Sequence, residues 1–202
     1  MNLKLKKATI VVMGLLLLFS ISLVKGAEEE KPIEFHNQDL ELAIREKIGK
    51  AIGDAYPSDL LEIKILKVSY SEIEDISVLK NCKTLETLRL RYNNISDLSP
   101  LSKLENLQYL SLGSNNISDL SPLAEIYSLD SVYLEGNEIS DIKPLVENYK
   151  EVENGDNAGL VKGDKVVISF NYLDVSENSE DLQDIQTLLD RGVEVEFYPQ
   201  ED

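Results

Sequence analysis

The chain has 202 residues, 43% hydrophobic and 28% charged, enough for one packed domain or one short repeat array and against wholesale disorder. Its formal net charge is −17, and residues 1–27 hold four lysines and no acid, so the remainder carries −21. Such a charge excludes nucleic acid as a partner and disfavours an anionic lipid surface, while the single cysteine, Cys82, leaves stability to packing rather than a disulfide.

In chain order, residues 1–27 come first. Lys4, Lys6 and Lys7 precede an apolar run from Ala8 to Val24, and Lys25-Gly26-Ala27 opens into Glu28-Glu29-Glu30. A positive start, a short apolar stretch and small residues at its end are the pattern of a secretory signal peptide. At 17 residues the run lies at the lower limit for spanning a bilayer. Cleavage is expected after Gly26 or Ala27, leaving the mature chain secreted, extracellular or associated with the cell envelope. Retention of the segment as a membrane anchor is the alternative, and the only membrane contact expected.

Residues 28–62 read as an acidic linker and a helical cap. In Phe35–Gly49, FHNQDLELAIREKIG, Leu40, Ala43, Ile44 and Ile48 fall on one helical face. Asn37 or Asp39 can serve as N-cap and Gly49 can close the helix in a left-handed conformation. Ser58-Asp59-Leu60-Leu61 then leads to the first strand.

Residues 63–150 are four repeats. Leu85–Asn106 reads LETLRLRYNNISDLSPLSKLEN, Leu107–Ser128 reads LQYLSLGSNNISDLSPLAEIYS, and Leu129–Lys150 reads LDSVYLEGNEISDIKPLVENYK. A degenerate copy, IKILKVSYSEIEDISVLKNCKT, runs from Ile63 to Thr84 and has Ser71 where the others have Asn93, Asn115 and Asn137, which are 22 residues apart. Leu88/Leu90, Leu110/Leu112 and Val132/Leu134 alternate as short strands with one face inward. The recurrent Asn faces the stack, and its amide can satisfy backbone groups where the chain leaves each strand. Ile95, Leu98 and Leu101 and their equivalents line a return path that Pro100 keeps from becoming a long helix. Stacked copies bury all these apolar residues in one continuous core.

Residues 151–202 break the period. After a Gly/Asn/Asp loop at 154–160, Val166–Leu173 restores the strand-then-Asn pattern, but Asn171 lies 34 residues after Asn137, so 12 residues are inserted. Ser179–Arg191 is an amphipathic helix with acids in its first turn and Gly192 as its stop. Val193, Val195 and Phe197 make a last strand, and the unit is expected to seal the stack.

Chemistry is sparse, and no enzyme, cofactor or metal is expected. His36 has no partner for catalysis or metal binding. Cys82 falls where neighbouring repeats have Leu104 and Ile126, which makes it a buried small hydrophobe. Asp75, Asp97, Asp119 and Asp141 recur with the period and are read as caps of the return turn. Glu153–Asp156 with Asp164 is acidic enough to consider for calcium, but its spacing matches no calcium loop. Asn94-Ile-Ser96 and Asn116-Ile-Ser118 match the glycosylation sequon as a by-product of the repeat.

The unit Leu-x-x-Leu-x-Leu-x-x-Asn-x-Ile-Ser-Asp-Leu-x-Pro-Leu resembles the 22-residue leucine-rich repeat of internalin-like bacterial surface proteins, closely over 63–150, and the helical segment before it resembles their cap. The resemblance implies an α/β leucine-rich-repeat solenoid with a parallel concave β-sheet and an irregular or 3-10 convex side. A helical N-terminal cap and an α+β C-terminal cap close it. It also implies protein ligands on the concave face, from a host or from the producer's own envelope, bound by a monomer. The alternative is a structural scaffold of the cell envelope that binds a wall polymer or another envelope protein.

In such a stack the third, fifth, seventh and eighth places of each repeat point outward. They include Lys67 and Tyr70, then Arg89, Arg91 and Tyr92, then Tyr109, then Tyr133 and Glu135, and Phe170 in the last unit. Exposed aromatics of this kind anchor interfaces. Lys67, Arg89 and Arg91 form a basic spot on an acidic chain, so a partner with an acidic or hydrogen-bonding patch is expected near Arg89, Arg91, Tyr92 and Tyr109.

Overall fold

The computed structural model describes residues 30–151, 157–198 and 200. The signal-like segment and Glu153–Asp156 therefore lie outside the described residues. The chain divides into two compact units, Met1–Lys31 and Pro32–Asp202, and the repeats with both of their caps lie in the second.

Helix α1 (Gln38–Ile48) begins at Asn37, whose side chain accepts from the Leu40 backbone N–H, and ends at Gly49, which has φ +68°. Between the two candidate caps Asn37 holds the position, because Asp39 already lies inside the helix. Leu40 and Ile44 are buried against the first repeat, so the helix shields that end of the core from water.

The repeats contribute one short strand each: β1 (Ile65–Lys67), β2 (Thr87–Arg89), β3 (Tyr109–Ser111) and β4 (Ser131–Tyr133). They pair in parallel with a shift of one repeat, Leu66 beside Leu88, Leu88 beside Leu110 and Leu110 beside Val132. The return paths are 3-10 turns at Ser77–Asn81, Ser99–Leu101 and Ser121–Leu123. In the fourth repeat the turn widens into a short α-helix, α2 (Lys143–Glu147), with Pro144 in its first turn, where a missing N–H costs nothing.

Two polar ladders hold the turns. Asn115 Nδ2 donates to the carbonyls of Leu90 and Leu112 (3.0 and 2.8 Å), and its Oδ1 accepts from the Ile95 N–H at 3.0 Å. Asn93, Asn137 and Asn171 repeat this arrangement one stack position apart. On the return side Asp75, Asp97, Asp119 and Asp141 each accept from a backbone N–H two residues on, the expected capping role. Cys82 is fully buried, and burial pushes its thiol up to about 12.

The described residues on the two sides of 152–156 are tied to each other and to the stack. Strands β5 (Tyr149–Lys150) and β6 (Ala158–Gly159) pair antiparallel beside the stack. Asn148, fully buried, donates to the carbonyls of Leu123 and Ile126 and accepts from the Leu160 N–H. Gly159 (φ +91°) passes so close that a Cβ would lie 2.3 Å from the Asn148 carbonyl oxygen, so no other residue fits.

Beyond the insertion, β7 (Lys165–Val167) joins the main sheet beside β4, helix α3 (Glu180–Asp190) packs behind it, and β8 (Glu194–Glu196) forms the last edge. Ser179 caps α3 and Gly192 releases the chain with φ +87°. The result is a six-stranded parallel sheet, β1-β2-β3-β4-β7-β8, over one continuous core from Leu40 to Val193. No helix among the described residues is long and apolar enough to cross a membrane.

Candidate functional site

The outward positions form two kinds of row. The third and fifth places lie in the strands, so Ile65 and Lys67 stand in register with Thr87 and Arg89, then Tyr109 and Ser111, then Ser131 and Tyr133. The eighth place is not strand. Tyr70, Tyr92, Ser114, Gly136 and Phe170 have φ between 56° and 66°. The left-handed turn arises because the inter-strand hydrogen bonds continue past the strands. The N–H groups of Tyr70, Tyr92, Ser114 and Gly136 donate to Arg91, Gly113, Glu135 and Ser169, and the Asn of each repeat then pulls the chain inward. Gly136 in this column is the sequence signal that predicts the conformation; the strand pattern alone conceals it.

Three aromatics occupy this strained column. Left-handed backbone costs a bulky residue roughly 1 kcal/mol or more, yet Tyr70 remains 75% exposed, Tyr92 43% and Phe170 47%. The rings of Tyr70 and Tyr92 stack with centroids 4.3 Å apart and planes 10° from parallel. Tyr109 and Tyr133 meet at 5.2 Å on the strand rows, and the Arg89 guanidinium lies 4.6 Å from the centre of Tyr109.

The basic spot is smaller than the sequence predicts. Arg91 is paired with Glu135, two repeats away, and lies 5.5 Å from the centre of the Tyr92 ring. The pair closes over Gly113, the seventh-place residue between them, where a Cβ would lie 2.7 Å from the Glu135 carboxyl. The carboxylate fills the space where a side chain would begin, so a residue with a Cβ there would push the flexible end of Glu135 aside. Hydrogen bonding from Arg91 draws the Tyr92 hydroxyl below its ordinary range, whereas local desolvation and the neighbouring Tyr92 hydroxyl raise that of Tyr70. Among the described residues Lys67 and Arg89 have no carboxylate partner, so they, without Arg91, carry the free positive charge of this face.

The other end of the sheet is saturated. Lys165 is bridged by Glu194 at 2.9 Å and Glu196 at 2.5 Å, and those bonds raise its pKa. Ser111, Gly113, Val167 and Ser169, expected to point freely outward, are buried. The register explains it: short Ser111 lies between Arg89 and Tyr133, and Val167 between Tyr133 and Glu196, so longer neighbours cover them.

His36 and Asp164 both make contacts within the fold. His36 contacts Asp75 at 2.5 Å and links the cap to the first repeat; the nearby Ser77 N–H holds the Asp75 carboxyl below its ordinary value. Asp164 accepts from the Val161 N–H, and burial raises its pKa. Among the described residues no group of three His, Cys, Asp or Glu side chains could hold a metal ion.

A family model, Leucine Rich repeats (2 copies), matches residues 83–125 and 105–147. Comparison with curated proteins finds no match. Among solved structures, the internalin inlF of Listeria monocytogenes shares 26% identity over 82% of this chain and 44% of its own, with a TM-score of 0.60. A leucine-rich-repeat protein of Leptospira interrogans shares the fold at 20% identity over 69% of this chain and 32% of its own, with a TM-score of 0.55. The chain thus spans less than half the length of the internalin it matches. The repeats, their register and this likeness together make the chain a leucine-rich-repeat solenoid that is similar to an internalin.

Proposed function

We propose that this chain is an exported, non-catalytic recognition module that binds a protein partner across the outward face of its six-stranded sheet. The observation that carries the reading is the eighth-place column, where Tyr70, Tyr92 and Phe170 stay exposed in a backbone conformation that Ser114 and Gly136 occupy with less strain. Residual strain of this kind accompanies function, and exposed aromatics supply interface anchors. Likeness to an internalin agrees with it, and the signal-like pattern of residues 1–27 supports export.

Interface size explains why the turn column matters. Six strands of three residues make a ribbon about 24 Å wide and about 10 Å long, far below the roughly 800 Å² per partner of a standard interface. The left-handed turns extend that ribbon along one side, so Lys67, Arg89, Tyr109 and Tyr133 on the strands and Tyr70, Tyr92 and Phe170 on the turns form one contact surface.

The test is site-specific photocrosslinking in extracellular fluid and in envelope extracts of the producing cell. A photoreactive residue replacing Ser114 on the sheet face is expected to trap a discrete protein, while one replacing Ser118, exposed on the return side, is not. Trapping from Ser118 alone, or from neither position, would sink the reading.

A further inference from the structure

We propose that the N-terminal half of the sheet face seats an acidic, tyrosine-bearing peptide segment of the protein partner, its carboxylates on Arg89 and Lys67 and an aromatic ring on the outer face of Tyr70. This rests on the reading of the sheet as a protein-binding face and adds the chemistry of what binds there.

Charge is the first argument. On a chain with a net charge of −17, the sheet's cations divide sharply. Arg91 is held by Glu135, and Lys165 by Glu194 and Glu196, whereas Lys67 and Arg89 have no carboxylate among the described residues. The two are register partners on β1 and β2, so their backbones lie about 4.8 Å apart. Two acids at alternate positions of an extended peptide face the same way about 7 Å apart, a spacing these long side chains can meet.

Pre-organisation is the second. The Arg89 guanidinium carbon lies over the Tyr109 ring, 4.6 Å from its centre, and that ring is itself braced by Tyr133 at 5.2 Å. A stacked guanidinium keeps its in-plane N–H donors available as a fork, the geometry that a carboxylate accepts. Beside it, Tyr92 backs Tyr70 in a near-parallel stack, and Tyr70 is 75% exposed, so its outer face is open to another ring. Ile65, 46% exposed on the same strand as Lys67, adds an apolar margin. Two unpaired cations cannot hold a phosphate polymer against the field of the whole chain, whereas one or two carboxylates with an aromatic anchor suit them.

The purified exported protein would be titrated by fluorescence polarisation with a labelled heptapeptide carrying Glu at its first and third positions, Tyr at its fifth and Ser elsewhere, so that all three side chains face the same way, and with the counterpart that has Gln for Glu. The Glu peptide is expected to bind about ten-fold more tightly or better. The double substitution Lys67→Glu/Arg89→Glu should abolish that preference at an unchanged urea midpoint. Equal affinity for the two peptides, a preference that survives the charge reversal, or displacement of the Glu peptide by duplex DNA or phosphatidylserine vesicles at equal charge would each overturn the proposal. The Ser114 crosslink separates the two claims. If the same double substitution leaves partner trapping intact, the sheet face remains the binding surface and the acidic-peptide assignment fails; loss of trapping supports it.

Discussion

Leu66, Leu88, Leu110, Val132 and Val166, at the middle of five neighbouring strands, are fully buried, while the residues that follow them, Lys67, Arg89, Ser111, Tyr133 and Val167, share nothing but register. The two sets are adjacent in the chain and opposite in what constrains them. An inward residue meets the equivalent residue of the next repeat, so one solution recurs along the stack. An outward residue meets whichever side chains its neighbours project. The inner face therefore carries stability and the outer face is free to carry recognition.

The sharpest way to break that division is at the asparagine ladder. Asn115→Ala would leave the carbonyls of Leu90 and Leu112 and the N–H of Ile95 without their partner. Unsatisfied buried groups cost about 1–3 kcal/mol each, so a loss of about 4 kcal/mol is expected in urea unfolding, with an unchanged slope. A loss under about 1 kcal/mol would mean that the ladder does not hold the stack.

The outward counterpart is Phe170→Gly. The substitution removes a half-exposed ring and relieves a φ of +57°. The lost burial and the relieved strain oppose each other, so stability is expected to stay within about 1 kcal/mol of wild type. A fall of more than about 2 kcal/mol would make this column structural and remove the main argument for recognition.

The smallest effect separates the two ends of the stack by pH. Burial raises the carboxyls of Asp130, Asp164, Asp181 and Asp184 above the ordinary 3.8. The folded state therefore binds those protons more tightly than the unfolded chain. Stability of the C-terminal unit rises as pH falls through the raised values toward 3.8, and falls as pH climbs back. Asp59, lowered by Lys50, and Asp75, lowered by the Ser77 N–H, act oppositely near the other end. Their contribution is complete above the ordinary value and is lost only as pH drops below it. Hydrogen exchange between about pH 6 and about pH 4, corrected for intrinsic rate, should show α3 and β8 gaining modest protection while β1 and β2 hold level. Declining protection of α3 over that interval would reverse the assignment.

Much of this molecule was legible in advance because its physics is local and periodic. The 22-residue spacing of Asn93, Asn115 and Asn137 implied a ladder, and the hydrogen bonds of all three follow it. Asn37, Gly49, Ser179 and Gly192 stand at the helix ends where capping chemistry puts them. The insertion was less legible. Asn148, just before it, stands at the periodic position of Cys82, Leu104 and Ile126, where an apolar residue is expected, and only the carbonyls of Leu123 and Ile126, brought beside it by stacking, explain how an amide is held there.

On the outer face, sequence identified which residues point outward in the strands, and tertiary structure decided what they are worth. The separation of Arg91 from Glu135 along the chain hides a pair that exists because Gly113 leaves room between two non-adjacent repeats. Nor does strand alternation reveal that Tyr70, Tyr92 and Phe170 sit in left-handed turns, since that conformation depends on the hydrogen bonds of the neighbouring repeat. By itself, then, the sequence determined a stack of parallel strands over one core, with capped helices near its ends, because each inward residue answers to copies of itself. Which charges remain free and which rings stand open was decided by the fold, because those properties depend on the unlike side chains that stacking brings together.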